Sequence, residues 1–205
     1  MTDLLVKNCL LFEKKDPQDI LIKEGVIKDI ASKITADNIH IIDADFHFVT
    51  PPFVDSHFHM DATLSYGLPR VNKSGTLLEG IKLWGELKPN LTGDAIKERA
   101  FKFCKWAIAR GTLAIRSHVD ISGQNLVGVE ALLDVRETMK DFIDIQLVAF
   151  PQDGLLRANC LDNLNAALDM GVDVVGGIPH FERTMEEGHE SIRILCEIAE
   201  KRGLL

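Results

Sequence analysis

Two histidines separated by one residue, His57 and His59, form the pattern in this chain that has the clearest chemical meaning. They follow the run Pro-Pro-Phe-Val at 51–54 and precede Asp61. Alternate residues of a β-strand point to the same side, so both imidazoles leave one face, with Cα atoms roughly 6.6 Å apart. Two nitrogens bound to a tetrahedral metal at about 2.0–2.1 Å lie only about 3.4 Å apart, a gap that converging imidazoles can close. The pair therefore predicts half of a mononuclear metal site.

The strand that ends in this pair begins a regular alternation of strands and helices. The other apolar runs predict the strands Thr112–Val119, Ile143–Phe150 and Val172–Ile178. The predicted helices are Leu77–Leu87, Ala95–Arg110, Val127–Met139, Leu161–Met170 and Glu187–Arg202. Apolar strands separated by helices of this length indicate a parallel sheet with helices packed outside it. A barrel of eight such units takes roughly 250 residues, so we expect residues 51–205 to hold four units at most.

Residues 1–50 follow a different rhythm, with short alternating runs in place of strand–helix units. The predicted strands are Leu4–Leu11, Ile20–Lys23, Val26–Ile30 and Ile39–Asp43. Glu24 and Gly25 stand where a hairpin turn belongs. We therefore predict that residues 1–50 form part of a small β domain that precedes the α/β region 51–205.

Further polar side chains collect where the predicted strands end, which is where parallel strand–helix folds bind their ligands. His118 fits a metal ligand, a substrate contact, or a histidine hydrogen-bonded to a neighbouring loop. His180, after Pro179, either shapes a loop or takes part in the chemistry. Gln152 offers two donors and one acceptor oxygen in a plane, which suits the amide edge of a heterocycle, or it is simply an exposed loop residue.

Other residues have structural interpretations. Arg116 on an inward-facing strand predicts a buried ion pair with an acid such as Asp120. Trp84 and Trp106 fall on helix stripes and are predicted to lie in the core. Three further histidines are predicted to have no functional role: His40, His47 and His189.

Composition narrows the functional class. Against 31 acidic residues the chain has 23 basic ones, a formal charge of −8, with no dense basic stripe, so we expect no nucleic-acid partner. No apolar run approaches the roughly 20 residues that a membrane helix needs. The cysteines are widely spaced without a C-x-x-C pair, which favours buried reduced thiols in a cytoplasmic protein. They are Cys9, Cys104, Cys160 and Cys196.

Six segments, in order along essentially the whole chain, together closely resemble bacterial cytosine deaminases of the amidohydrolase superfamily. The segments are Pro51-Pro52-Phe53-Val54, His57-Phe58-His59-Met60-Asp61, Ser74-Gly75-Thr76-Leu77, Arg116-Ser117-His118-Val119-Asp120, Val148-Ala149-Phe150-Pro151-Gln152-Asp153-Gly154 and Gly177-Ile178-Pro179-His180-Phe181-Glu182. Related s-triazine amidohydrolases share the motifs of the first two barrel strands. The Phe-Pro-Gln and Pro-His-Phe-Glu segments are more similar to the pyrimidine deaminases.

The resemblance implies the first half of a TIM-like (β/α)8 barrel, preceded by part of a small β domain, and one divalent metal, Fe²⁺ or Zn²⁺. It assigns His57 and His59 as metal ligands, Gln152 to the amide edge of the pyrimidine, and Leu77 to a backbone contact with the base. The family's remaining metal ligands and its proton-shuttling glutamate lie on strands five to eight, so we expect them beyond Leu205. Within the chain, Asp120 and Glu182 are the strand-end acids that could substitute, although neither matches a family ligand.

Three functional hypotheses follow. The first is hydrolytic deamination of cytosine or a related amino-heterocycle, with ammonia released, by a longer polypeptide of which this chain is the N-terminal half. The second is another hydrolase of the superfamily, acting on an s-triazine alkylamine or a cyclic amide. The third is a non-catalytic half-barrel that pairs with itself or with a partner chain, because open strand edges favour association. We expect a small-molecule substrate and a homo-oligomer.

Overall fold

The chain divides into two units, Met1–Pro51 and Pro52–Leu205, in a computed structural model that describes residues 3–205. The first unit is a four-stranded sheet with the strand order β3-β2-β1-β4. Its strands are β1 (Leu4–Cys9), β2 (Gln18–Lys23), β3 (Val26–Ala31) and β4 (His40–Asp43). β1 is antiparallel to β2 and parallel to β4. The predicted hairpin turn is confirmed, because Glu24 and Gly25 both adopt positive φ, 54° and 76°, as a two-residue turn between twisted strands requires.

The second unit is a four-stranded parallel sheet with the strand order β5-β6-β7-β8, which confirms the predicted α/β class. The strands are β5 (Phe53–Phe58), β6 (Thr112–Asp120), β7 (Asp144–Phe150) and β8 (Val174–Val175). The helices are α1 (Leu77–Leu87), α2 (Gly93–Ala109), α3 (Val127–Met139), α4 (Cys160–Asp169) and α5 (Met185–Arg202). Two short 3-10 helices, Lys88–Asn90 and Pro179–Phe181, complete the unit.

Helices α1, α2 and α5 begin where the hydroxyl of a threonine replaces a missing backbone partner. The hydroxyl of Thr76 accepts a hydrogen bond from Glu79 N at the start of α1, and the Thr92 hydroxyl does the same for Ala95 N in α2. Such caps satisfy an N–H group that has no intrahelical acceptor. The bounds of α1 and α3 agree with the predicted ones at both ends.

The core lies between the parallel sheet and its helices. On β6 the buried residues alternate, with Ile115, Ser117 and Val119 facing the helices. Ile96, Ala100, Cys104 and Ala107 form the buried stripe of α2. Trp106 falls beside this stripe and is exposed, with the Lys102 ammonium 5.2 Å from its ring centroid, so its predicted place in the core was wrong. Cys9, Cys104 and Cys160 are buried free thiols as predicted, whereas Cys196 is exposed.

The fourth parallel strand is shorter than predicted. The pattern indicated Val172–Ile178, but β8 holds only Val174–Val175. A side chain at Gly176 would place its Cβ only 2.6 Å from Val148 Cγ1, so the backbone there approaches β7 too closely for any other residue. Because Pro179 then lacks a ladder donor, the chain leaves the sheet and enters the 3-10 helix. In the part of the chain that the structure describes, no helix is both long and apolar enough to cross a bilayer.

Candidate functional site

The face of the parallel sheet opposite the helices carries a cluster of three imidazoles. The ring centroids of His57 and His59 lie 5.3 Å apart, and the His118 ring lies 4.1 Å from the first and 5.6 Å from the second. Phe58, between the two histidines, points the other way and stacks on Phe103 of α2 at 4.2 Å. The alternation of β5 therefore divides this segment between a packed side and a polar side.

Burial favours the uncharged form of two of these imidazoles, those of His59 and His118. It lowers the pKa of His59, and the neighbouring His57 lowers it further. It also lowers the pKa of His118 to about 4, with additional repulsion from His57 and His59. A neutral imidazole is the form that binds a metal, so no proton has to be displaced from these two rings at neutral pH.

The donor set fits a divalent metal. Two imidazoles on a tetrahedral ion place their ring centroids roughly 5 Å apart, which agrees with the 5.3 Å between His57 and His59. Nδ1 of His118 is buried and has no hydrogen-bond partner among residues 3–205, so the predicted hydrogen bond to a loop is not made by this atom. Over the same residues, no group of three or more His, Cys, Asp or Glu side chains is arranged to hold an ion. The described residues thus supply the paired nitrogen donors but not a full ligand set.

The segment that carries Gln152 begins beside this cluster. The ring of Phe150, the last residue of β7, lies 5.6 Å from His59 and 5.4 Å from His118. Gln152 follows two residues later, where its N–H donates to Phe150 O at 2.9 Å. Its side chain is half-buried. Leu77 is the first residue of α1, so its backbone N–H has no acceptor within the helix, and its side chain is exposed.

The strand-end acids are engaged in the local structure. The two carboxylate oxygens of Asp120 accept from Trp84 Nε1 at 2.7 Å and from Ser122 N at 2.7 Å. One carboxylate oxygen of Glu182 accepts from the backbone N–H of Leu155 at 2.6 Å. Both carboxylates therefore stabilise backbone or side-chain geometry near the strand ends.

Asp61 links the histidine segment to β6. Its carboxylate is buried and accepts from Asp120 N at 2.9 Å and from Ala62 N at 2.9 Å. Burial raises the pKa of Asp61 to about 7, although both N–H groups oppose that rise. A second link runs from Met60 N to the Ser117 hydroxyl at 3.0 Å. These contacts fix the end of β5 against the neighbouring strand.

Arg116 does not form the predicted ion pair with Asp120. Its side chain is exposed, and Nε donates to Gln146 Oε1 at 2.6 Å. Arg116 and Asp120 face the same side of β6 but are four positions apart, about 13 Å along a strand. The register instead places Gln146 directly opposite Arg116.

Sequence reasoning missed the residue that does pair with Asp120. Lys88, at the start of a 3-10 helix, lies with its ammonium 2.9 Å from Asp120 Oδ2 and 2.7 Å from Asp153 Oδ2. Trp84, predicted to lie in the core, is half-buried and donates to the same Asp120 carboxylate. These groups line a cavity of about 280 Å³. No local motif marks Lys88, because its partners lie 32 and 65 positions further along the chain.

The chain is similar to several known enzymes. It is 35% identical over 95% of its length to N-isopropylammelide isopropyl amidohydrolase of Pseudomonas sp. strain ADP, and it covers 49% of that protein. It is 29% identical over 78% of its length to a pterin deaminase of Rhizobium rhizogenes, of which it covers 37%. A structure of 5-methylcytosine deaminase from Klebsiella pneumoniae, liganded with 5-fluorocytosine, matches 98% of this chain at 36% identity with a TM-score of 0.92.

A second solved structure, N-isopropylammelide isopropylaminohydrolase from Burkholderia multivorans, matches 99% of the chain at 28% identity with a TM-score of 0.83. The chain covers 49% and 51% of the Klebsiella and Burkholderia structures, so it spans about half the length of these relatives. The similarity also bears out the predicted fold class, since these neighbours are TIM-barrel enzymes. The model of the amidohydrolase family matches residues 40–205. On this evidence, the chain belongs to the amidohydrolase family.

Proposed function

We propose that this chain contributes to a metal-dependent aminohydrolase that removes an exocyclic amino group from cytosine or a closely related amino-heterocycle. The observation that carries the proposal is that His57 and His59 lie at the carboxyl end of the parallel sheet, beside the segment that ends in Gln152. The similarity to 5-methylcytosine deaminase over nearly the whole chain supports the same substrate class.

The reaction consumes water, breaks the bond between the ring carbon and its amino group, forms a C–O bond, and releases ammonia. A divalent ion at the histidine pair would lower the pKa of water and so supply hydroxide at neutral pH. His57 and His59 bind the ion in their neutral form. Gln152 orients the heterocycle, since its amide can pair with the ring's donor and acceptor edge. The backbone N–H of Leu77 offers a further contact to the base.

We also propose that the metal is Fe²⁺ or Zn²⁺ and that the protein is cytoplasmic. Imidazole nitrogen suits both ions, so the two histidines by themselves do not discriminate between them. Buried free thiols such as Cys104 and Cys160 are typical of a reducing compartment.

Ammonia release tests the proposal. We expect the longest polypeptide that carries this sequence, loaded with Fe²⁺ or Zn²⁺, to release ammonia from cytosine, 5-methylcytosine or isoguanine. Removing the metal with a chelator should abolish turnover, and adding it back should restore turnover. If neither metal-loaded form acts on any of these bases, the assignment to deamination of cytosine or a closely related amino-heterocycle is wrong.

A second candidate, hydrolysis of an exocyclic alkylamine, is favoured by the 35% identity to the Pseudomonas amidohydrolase. Release of isopropylamine from N-isopropylammelide would indicate this activity. Gln152→Glu distinguishes the two candidates. It replaces the amide NH2 donor by a carboxylate oxygen, which repels an acceptor atom on the edge of the ring. We expect at least about a tenfold rise in KM for a pyrimidine deaminase. A hydrolase that does not read the ring edge through Gln152 should keep its KM.

A further inference from the structure

The loop 151–157, which carries Gln152, is held by contacts from both neighbouring strand ends. The loop itself has only short-range turns, such as the hydrogen bond from Gly154 N to Pro151 O at 2.8 Å. Gly154 adopts a φ of +101°, a conformation that other residues avoid. A loop of this kind needs outside contacts if Gln152 is to keep one orientation.

On the β6 side, the residue after Gln152 is bound twice. The Asp153 carboxylate pairs with Lys88 Nζ at 2.7 Å, and Asp153 N donates to the Ser122 hydroxyl at 3.0 Å. Lys88 is largely buried, at 17% side-chain exposure, and also pairs with Asp120, whose side chain is 4% exposed. A partly buried ammonium between two carboxylates forms stronger contacts than an exposed surface pair. We call this group, Lys88 with Asp120, Ser122 and Asp153, the lysine clamp.

On the β8 side, a carboxylate binds the other end of the loop. Glu182 Oε1 accepts from Leu155 N at 2.6 Å and from Leu156 N at 3.3 Å. A Cβ at Gly154 would lie 2.9 Å from Glu182 Oε2, so the carboxylate packs directly against the glycine. We call these contacts the glutamate clamp.

Arg157 supports the glutamate clamp. Its guanidinium donates to Asp153 O at 3.0 Å and to Phe181 O at 2.8 Å. The loop is therefore tied to the segment that precedes Glu182 as well as to Glu182 itself.

The lysine clamp also reaches the histidine pair. Asp120 N donates to Asp61 Oδ2 at 2.9 Å, and Asp61 follows His59 by two residues. A continuous series of hydrogen bonds and ion pairs thus connects the strand that carries the imidazoles with the loop that carries Gln152. Such a series can fix the distance between a metal and the substrate-binding amide before substrate arrives.

We propose that Lys88 and Glu182 are positioning residues that hold the Gln152 loop in its substrate-binding orientation from two sides. This inference rests on the proposed function, since it gives Gln152 the role assigned there. Neither side chain is required to touch substrate. Loss of either clamp is expected to leave the metal in place and to weaken binding of the heterocycle.

The first experiment measures how well the loop is ordered and does not require enzyme activity. Hydrogen–deuterium exchange of the peptide spanning 151–157 is compared in the wild type, Lys88→Met and Glu182→Ala. We expect exchange to rise about tenfold in each variant, as the loss of a charge-assisted hydrogen bond implies. Lys88→Arg should restore protection because it keeps a donor to both carboxylates. Unchanged exchange in Lys88→Met and Glu182→Ala would overturn the proposal.

Two controls separate loop ordering from general loss of structure. Lys97→Met removes an ammonium that pairs with Asp94 and Asp134 away from the loop, and it should leave exchange of 151–157 unchanged. Peptides from β6 and β7 report whether a variant still folds. If those peptides also lose protection in Glu182→Ala, Glu182→Gln is measured in its place, because it replaces the carboxylate by a neutral acceptor of the same shape and so weakens the two hydrogen bonds without removing the side chain. We expect a smaller rise in exchange of 151–157, about two- to threefold, and unchanged exchange in that variant would overturn the role of Glu182.

The second experiment measures KM, kcat and bound metal in the longest metal-loaded polypeptide that carries this sequence. We expect Lys88→Met to raise KM about tenfold while kcat and bound metal change less than about threefold, the pattern of lost substrate binding. More exchange with an unchanged KM would overturn the positioning role. If the wild type neither binds nor deaminates any amino-heterocycle, the proposed function fails, whereas the exchange experiment still decides whether the clamps order the loop.

Discussion

The two faces of the parallel sheet differ in what covers them, and the segment 57–59 has side chains on both faces. Phe58 stacks on Phe103 of α2, whereas His57 and His59 on either side of it point away from the helices. On β6 the helix-facing residues Ile115 and Val119 are at most 2% exposed. The opposite face carries imidazoles, a guanidinium and amides. Stability thus comes mainly from the helix side of the sheet, and the candidate chemistry lies on the other side.

Removal of both imidazoles should give the largest functional effect. We expect His57→Ala combined with His59→Ala to weaken metal binding by more than about a hundredfold, because even changes to groups around a ligand cost ten- to a hundredfold. The free energy of unfolding of the metal-free protein should change by less than about 1 kcal/mol, since these side chains leave the packed face. Metal analysis after dialysis and urea denaturation measure the two effects.

His189→Ala is the matched control for that pair, since His189 is an exposed residue of α5. It should leave both metal content and stability unchanged. Full metal retention in the double variant would contradict the assignment of His57 and His59 as ligands.

A substitution on the helix side of the sheet should lower stability and leave metal binding unchanged. Leu164 of α4 is fully buried in the core, whereas Leu161 on the same helix is 38% exposed. Leu164→Ala should lower the free energy of unfolding by about 2–5 kcal/mol, and Leu161→Ala by less than about 1 kcal/mol. Metal affinity of the folded fraction should be unchanged in both. Equal losses of stability in the two variants would show that α4 is not packed as described.

The smallest expected effect concerns His118, which lies on the chemical face but is partly buried. Its pKa falls from 6.5 to about 4 in the folded protein, so the unfolded chain binds more protons between these values. This histidine therefore makes the metal-free protein less stable as the pH falls from about 6.5 toward 4. His118→Gln should reduce that pH dependence by at most about 1.4 kcal/mol per pH unit.

Asp61 acts in the opposite sense over an overlapping range. Its pKa is raised to about 7, so its contribution to stability is present at low pH and is lost as the pH rises through that value. Because wild type and His118→Gln both contain Asp61, the difference between their pH profiles isolates His118. Parallel profiles for the two proteins would show that His118 does not titrate abnormally.

Local patterns were sufficient for most of the fold. The strand–helix alternation, the Glu24-Gly25 turn and the bounds of α1 and α3 depend on periodicity and on neighbouring residues, and each agrees with the structure. The predicted length of β8 was wrong because an apolar run does not show where pairing with the neighbouring strand stops, which here is at Val175. The roles of Gln152 and Leu77 and the homo-oligomer stay predictions.

The sequence by itself determined which chemistry is available and on which strand it begins. A two-residue spacing on a strand brings two imidazoles to one face whatever the rest of the chain does. Only the tertiary structure decided that His118 joins them and that Lys88 bridges Asp120 and Asp153. Those contacts join residues 32 to 65 positions apart, so they exist only once the strands have paired and the loops have closed over their ends.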